Sequence, residues 1–534
     1  MPSRFALISS LVVVLLFGSV TAAWAQPRAI GIAASQLDNL GLKQEWSTQL
    51  PINAAYSRIS HFTQVIGHEN PLVVFDVKHN GESRRFSSAD LNTFGRPLGE
   101  EEAKAQAEQY LARIDKSQKP ELTRNEVPTI TYYVMTDNGI IHALDGRTGR
   151  LLWTQSHGNR KLVSQKPAGN DEMVAYTLGT TLYVLNRANG EIKWQRKLEG
   201  PPAAGPTFSE SKIFVPLTTG QVFIYDFDGG PSLAQNYFSI GKITTPVSAT
   251  STTVNWATDR GYIYVGDSHR NRVRYRLEAN GKIVAPAANF QHLYLYFTTT
   301  DGYIYCLFAP DGAVQWRYST GEEITTSPIA VRDSVFVTLS HGGLYKLSLT
   351  HGELRWFAPR VRQFLSASDR YVYALDDLNR LLVLDSQSGA VVGATALRGF
   401  DFFETNHATD RIILGTKTGR LQVLRASGLE YPQIHVKLVR PATPEEEADM
   451  EKPAPERPRP AAEDPFGAPA ADPFADPFAA PAAGETPADD PFGGPPAGAN
   501  PFGGPADGGN PFGTEPAADD PFGGGGNDDN PFGS

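Results

Sequence analysis

Between residues 131 and 431 the chain repeats a unit of about forty residues. Aligned at the turn ahead of a strand-like run, the copies place Gly139, Thr180, Gly220, Gly261, Gly302, Gly342, Asn379 and Gly419 at separations of 41, 40, 41, 41, 40, 37 and 40. Each copy carries strand signals only: TYYVMTDNGIIHALDG, KIFVPLTTGQVFIYD, YLYFTTTDGYIYCLF, SVFVTLSHGGLYKLS and RYVYALDDLNRLLVLD are β-branched and aromatic runs around a turn of Asp, Asn or Gly. A short all-strand period of this length cannot bury its apolar faces unless copies stack, and it is the length of a four-stranded propeller blade. The spacing predicts an all-β protein, an eight-bladed β-propeller of four-stranded antiparallel blades.

Within the unit a sharper pattern recurs. ALDGRTGRLLW (143 to 153) sets Ala143, Asp145, Gly149 and Trp153 at fixed offsets. VLNRANGEIKW keeps Gly190 and Trp194, LFAPDGAVQW keeps Gly312 and Trp316, and LSLTHGELRW keeps Gly352 and Trp356. Weaker copies are VLDSQSGAVVG (383 to 393) and VLRASGLEY (423 to 431). Asp145 and Gly149 bracket a turn between the third and fourth strands. Trp153 then falls on the outer strand, where its ring can cover the join to the next blade. These positions are expected to be architectural, and truncating Trp153 to Ala to cost about 3–5 kcal/mol.

Ala143, Asp145, Gly149 and Trp153 resemble the AxDxxxGxxxW docking pattern of the quinoprotein, or PQQ-type, repeat. The likeness covers about residues 131 to 431. One copy matches in full, three keep the Gly and Trp, and the others retain the hairpin only. The resemblance implies an eight-bladed propeller. The same repeat family holds PQQ-dependent alcohol dehydrogenases and BamB, a non-catalytic scaffold of outer-membrane protein assembly. In the dehydrogenases it implies a cofactor on the propeller axis beneath a vicinal disulfide, with calcium and a catalytic aspartate.

Residues 26–130 precede the repeats. GLKQEWSTQL, with Trp46, reads as an outer strand that could pair with the last blade and close the ring. Residues 72 to 98 hold a further blade-like fragment, which leaves counts from seven to nine open, with eight expected. EEEAKAQAEQYLARI sets Ala103, Ala107, Tyr110, Leu111 and Ile114 on one helical face and predicts a single inserted helix.

The two ends are different material from the repeats (131–440). Residues 1–25 read as a signal peptide: Arg4, an apolar run from Phe5 to Val20, and Ala23-Trp24-Ala25 before the cut. Export to the periplasm or outer cell envelope of a bacterium follows. A retained anchor is the alternative, although the run is shorter than the ~20 residues that span a bilayer. Residues 441–534 hold 19 Asp and Glu against 3 Lys and Arg, which is −16 of the chain's net −10. This acidic, Pro-, Gly- and Ala-rich tail is expected to be disordered. Its DPF and NPF repeats make Phe492, Phe502, Phe512, Phe522 and Phe532 candidate docking residues for multivalent binding, with a purely solubilising role as the alternative.

The search for chemistry yields little. There is no GxGxxG, P-loop, GxSxG or HExxH, and Cys306 is the only cysteine, so it has no neighbour for a vicinal disulfide and no zinc pair is possible. No cysteine lies near the cleavage site to carry a lipid. His142 reads as a strand residue with a satisfied ring. No catalytic, cofactor-binding or metal-binding residue is predicted, and nothing supports PQQ beyond the resemblance. The reading is an exported, non-catalytic scaffold, monomeric, for envelope or secreted proteins, conceivably in outer-membrane protein assembly. Nucleic acid is not expected as a partner, nor a membrane span after signal cleavage. The alternative is a PQQ-dependent periplasmic oxidoreductase.

Overall fold

A computed structural model describes residues 31–79, 82–115, 120–159, 161–229 and 235–436. Residues 1–25, expected from the sequence to be a signal peptide, and residues 441–534, with Phe492, Phe502, Phe512, Phe522 and Phe532, lie outside these. The described chain forms eight antiparallel sheets, seven of four strands and one of five. They follow one another around a common axis as the eight blades of a propeller.

Blades 2 to 7 are consecutive runs, residues 168–197, 207–238, 248–278, 288–319, 329–358 and 361–396. In each, the first strand lies at the axis and the fourth at the rim. The middle strands are covered on both faces, and Met173–Leu178 is buried at every residue. This is why they read as unbroken apolar runs rather than as alternation. Rim strands such as Leu151–Ser156 bury one central position, Trp153, and expose its neighbours.

Blade 8 is assembled from both ends of the described chain. Phe402–Phe403, Ile412–Gly415 and Arg420–Ala426 supply three strands, and Leu42–Gln49 supplies the fourth, with Leu42 opposite Ala426 and Gln49 opposite Arg420. Arg411, 1% exposed, fastens this junction. Its guanidinium donates from Nε to Glu45 Oε2 (2.5 Å) and from Nη1 to both oxygens of Asp410 (2.9 and 3.0 Å).

Blade 1 carries the departure from the repeat. Its first strand is the front of Ile59–His79, paired with the end of Glu121–Thr136, and Ile140–Asp145 and Leu151–Ser156 complete the blade. Beyond Gly67 the two long strands shift register and run on together, Leu72 opposite Val127 and Lys78 opposite Glu121. Glu82–Ser87 adds to the extension. Residues 72–98 are therefore not a ninth blade but an outgrowth of blade 1's first hairpin. The helix Gly99–Arg113 closes this outgrowth, with Ala103 and Ala107 buried against Val73, Phe75, Val77 and Phe86. Among the described residues no helix is long and apolar enough to cross a membrane.

One device joins the blades. Trp46, Trp153, Trp194, Trp316 and Trp356 each lie over the turn glycine of the next blade: Gly149, Gly190, Gly229, Gly352 and Gly389. Each indole N–H donates to a carbonyl of that turn, at Gly146, Arg187, Phe227, Leu349 and Ser386, over 2.8–3.1 Å. Tyr275 does the same at Gly312, its hydroxyl donating to the Ala309 carbonyl at 2.8 Å. Tyr237 reaches the Asp267 and Arg270 carbonyls of blade 4. The turn glycines have φ between +63° and +81°, a left-handed backbone that a side chain resists, and an added Cβ would enter the ring above. The remaining motif positions follow from the same geometry. Ala143, opposite Trp153 in register, is fully buried. Asp145 Oδ1 accepts the Arg147 and Thr148 amides at 3.0 and 2.8 Å, which ties the turn.

The join between blades 7 and 8 differs. The rim position equivalent to tryptophan is Gly393, and Leu40 fills the space, its Cδ2 2.5 Å from where a Cβ would stand. Leu40 follows the short helix Ala34–Asp38, whose Leu37 is buried with Leu42, Leu397 and Phe400.

Candidate functional site: the axial pocket

The first strands of the blades are short, two or three residues in blades 2 to 6, and they stand side by side around the axis. Side-chain bonds between neighbouring blades repeat about every forty residues. Thr63 donates to the Pro167 carbonyl (2.6 Å), Thr207 to Val247 (2.8 Å), Asn289 to the Ser248 hydroxyl (3.1 Å), Ser327 to Pro286 (2.7 Å) and Gln363 to Phe403 (3.1 Å). Gln64 reaches Thr409 across the closing join at 3.3 Å. The belt satisfies groups that a narrow, short strand cannot pair through its backbone alone.

Inside the belt is a pocket of about 630 Å³. Phe290, Ile329, Pro286 and Pro328 give it apolar wall, interleaved with the amides and hydroxyls of Asn289, Asn406, Ser248 and Ser327. At its rim the turn after Ala288–Phe290 places Gln291 and His292 at φ 51° and 59°, two successive left-handed residues that are not glycine. That geometry turns the hairpin tightly but is strained for residues carrying a Cβ.

Two formal charges face the pocket, and they pair: Lys166 Nζ lies 3.2 Å from Glu404 Oε1, joining blades 2 and 8. Burial holds the Glu404 carboxyl above its ordinary value, and the lysine only partly offsets this. His407 is exposed at the pocket mouth, and its neighbours and the charge of Lys166 lower its affinity for a proton. His435 is lowered by burial as well, and its Nε2 lies 2.8 Å from the Ala367 carbonyl, so that nitrogen carries the proton. At neutral pH both imidazoles are neutral.

The sequence-predicted motif residues Ala143, Asp145, Gly149, Trp153, Gly190, Trp194, Gly312, Trp316, Gly352 and Trp356 sit in blade joints, and none lines the pocket. Lys166, Glu404, His407 and His435 gave no signal in the sequence, since the axis gathers them from segments up to 269 residues apart. His142 is 2% exposed, and one ring nitrogen, not both, has a partner: Nδ1 meets Thr154 Oγ1 at 2.9 Å while Nε2 has none. Cys306 is buried in blade 5, its thiol pushed up to about 12 by burial.

The donor set does not fit a calcium-bound quinone. The pocket wall offers one carboxylate, already paired with a lysine, and no group of three or more His, Cys, Asp and Glu among the described residues is placed to hold a metal.

The family model described as outer membrane protein assembly factor BamB matches residues 137–288 and 280–423, together more than half of the chain. No curated protein matches the chain. Among solved structures, the chain is similar to the crystal structure of BamB from Moraxella catarrhalis, at 17% identity and TM-score 0.46, over 55% of this chain and 91% of that one. It is also similar to the computationally designed Ika8 protein, at 16% identity and TM-score 0.43, over 55% and 92%. The C-terminal WD40 domain of Sif2 is similar at 12% identity and TM-score 0.46, again over 55% and 92%.

Proposed function

The chain belongs to the family of the outer membrane protein assembly factor BamB, and on that premise we propose that it is an exported, non-catalytic scaffold for protein–protein interaction in the cell envelope. The observation that carries this reading is the contrast between the frame and the pocket. Seven aromatic docks and a belt of hydrogen bonds hold the blades rigid, while the axial wall presents uncharged hydrogen-bonding groups and a self-neutralised ion pair. Loops on a rigid frame make good docking surfaces. The outgrowth of blade 1 enlarges the face that carries the turns between first and second strands. A role in outer-membrane protein assembly is the family's suggestion for the partner.

The test is cross-linking in intact cells followed by purification of the full chain from envelope extract. The reading expects one or a few envelope proteins in stoichiometric yield, lost when the outgrowth is shortened to a tight turn. The alternative, a PQQ-dependent oxidoreductase, is tested by adding PQQ and calcium to the purified protein. Dye reduction dependent on an alcohol or sugar would overturn the scaffold reading.

A further inference from the structure

We propose that the seam between blade 1, its outgrowth and blade 8 holds a binding site for a small uncharged compound, one ring-sized apolar group that carries a carbonyl oxygen. A cavity of about 160 Å³ lies there. It forms where the two long strands of blade 1 slip in register, with Gly67 opposite Thr129 but Leu72 opposite Val127. A bulge bends the strand that carries it, and the bend leaves room beside the sheet. Residues 430–432 complete the wall, and they are held: Arg411 donates to the Glu430 carbonyl at 3.2 Å, and the Tyr431 hydroxyl bonds Asp76.

Size sets the apolar part of the ligand. Leu72, Val74, Val127, Ile130, Leu152 and Pro432 give the cavity its apolar surface. A dry apolar cavity of ~150 Å³ takes up benzene, so this one holds a single ring or a branched alkyl group.

Two orphaned donors set the polar part. Tyr132 belongs to the cavity wall and is wholly buried, yet its hydroxyl has no hydrogen-bond partner. Its ring is wedged against Trp46 and Phe62, with centroids 5.8 and 5.2 Å away, so the hydroxyl is fixed in place. Burial keeps the proton on this oxygen. Arg147 uses Nη2 on Asp90 at 2.7 Å, but its buried Nε has no partner. Among the described residues these are the only side-chain polar atoms of the cavity wall that are buried and unpartnered, and both can donate. The group they lack is an acceptor.

The mouth argues against a charge on that acceptor. The cavity opens into a polar hollow of about 280 Å³, and the two share Glu45, Arg85, Arg147 and Glu430. Glu45 is paired with Arg411, Glu430 lies 3.8 Å from Arg85, and Arg147 is paired with Asp90. Arg425, also in the hollow, donates to the Ala426 and Leu429 carbonyls at 3.4 and 3.3 Å. An ionic ligand would have to break one of these arrangements, whereas a neutral carbonyl leaves them intact.

The test is a titration of the full-length chain, read by fluorine NMR, with three probes of one size: para-fluoroacetophenone, fluorobenzene, which lacks the acceptor, and the charged para-fluorobenzoate. The ketone should bind at least fivefold more tightly than either of the others. Tyr132→Phe keeps the ring and removes the hydroxyl; it should bring the ketone to the level of fluorobenzene and change fluorobenzene itself by less than twofold. Ala89→Phe, which places a ring in the cavity from the outgrowth, should abolish binding of all three, and Tyr132→Phe decides alone if that variant does not fold. No ketone binding at millimolar concentration, tighter binding of the benzoate, or ketone binding unchanged in Tyr132→Phe would overturn the proposal.

Discussion

Trp153 lies over Gly190 so closely that a Cβ on the glycine would stand 2.6 Å from the indole Cε3, while the indole N–H donates to the Arg187 carbonyl at 2.9 Å. Aromatic ring, left-handed glycine and turn carbonyl form one unit, and neither residue can change without the other. Trp153→Ala is expected to lower stability by about 3–5 kcal/mol, and Gly190→Ala by about 1–3 kcal/mol, because the added methyl meets both the ring and a φ of +75°. Urea unfolding of the single and double variants checks this. The double variant should fall well short of the sum, since contacting residues are not additive. Simple additivity would mean that ring and glycine do not act together.

Arg411 should be the least tolerant charged residue of the body. Its side chain is 2% exposed, and Arg411→Met would leave the buried Asp410 carboxylate and the partly buried Glu45 carboxylate without their cation. A loss of about 3–5 kcal/mol is expected. The loss should be nearly independent of salt between low and physiological ionic strength, because a buried pair is poorly screened. A change below about 1 kcal/mol in denaturant melts would show that the network is dispensable.

Removing residues 31–50 takes the fourth strand from blade 8, uncovers Gly149 and leaves Arg420–Ala426 as an unpaired edge. Free edges of this kind recruit other strands. Light scattering after size-exclusion chromatography should show oligomers or aggregates. A monodisperse monomer with native circular dichroism would contradict the closing role of Leu42–Gln49.

His142 gives a pH signature. Burial holds it at about 4 against an ordinary 6.5, so the unfolded chain binds this proton more readily than the folded one. Its contribution is fully present above about pH 6.5 and is lost as pH falls towards 4, by up to about 3 kcal/mol. The check compares urea midpoints of the native chain and His142→Gln at pH 7 and pH 4.5. The native chain should lose more on acidification. Parallel losses would mean that His142 titrates normally in the fold.

The blades were legible because their middle strands are long, buried on both faces and separated by turns that need glycine or asparagine, a signal local enough to survive in one sequence. Trp153, Trp194, Trp316 and Trp356 were legible for the same reason, since ring and glycine are only four residues apart in the turn that leads to each rim strand. Three features were not. The outgrowth at 72–98 has the composition of a blade because strands that extend a hairpin obey the same alternation as strands that start a sheet. The plug at the last joint is invisible because Leu40 is 353 residues from Gly393, the position it fills. The axial pocket is built from strands too short to show a period, and its ion pair of Lys166 and Glu404 is assembled purely by the circular order of the blades.

The pairing of Leu42–Gln49 with Arg420–Ala426 also sets an order of events. A ribosome makes the first of these strands more than 370 residues before the second, so the earliest piece of sheet must wait for the latest. During that interval seven blades have neighbours and one has a vacant seat, which makes folding slow and the waiting strand a target for holding chaperones. A cut that removes either Leu42–Gln49 or Arg420–Ala426 opens the same blade, so two segments far apart in the chain share a single point of weakness.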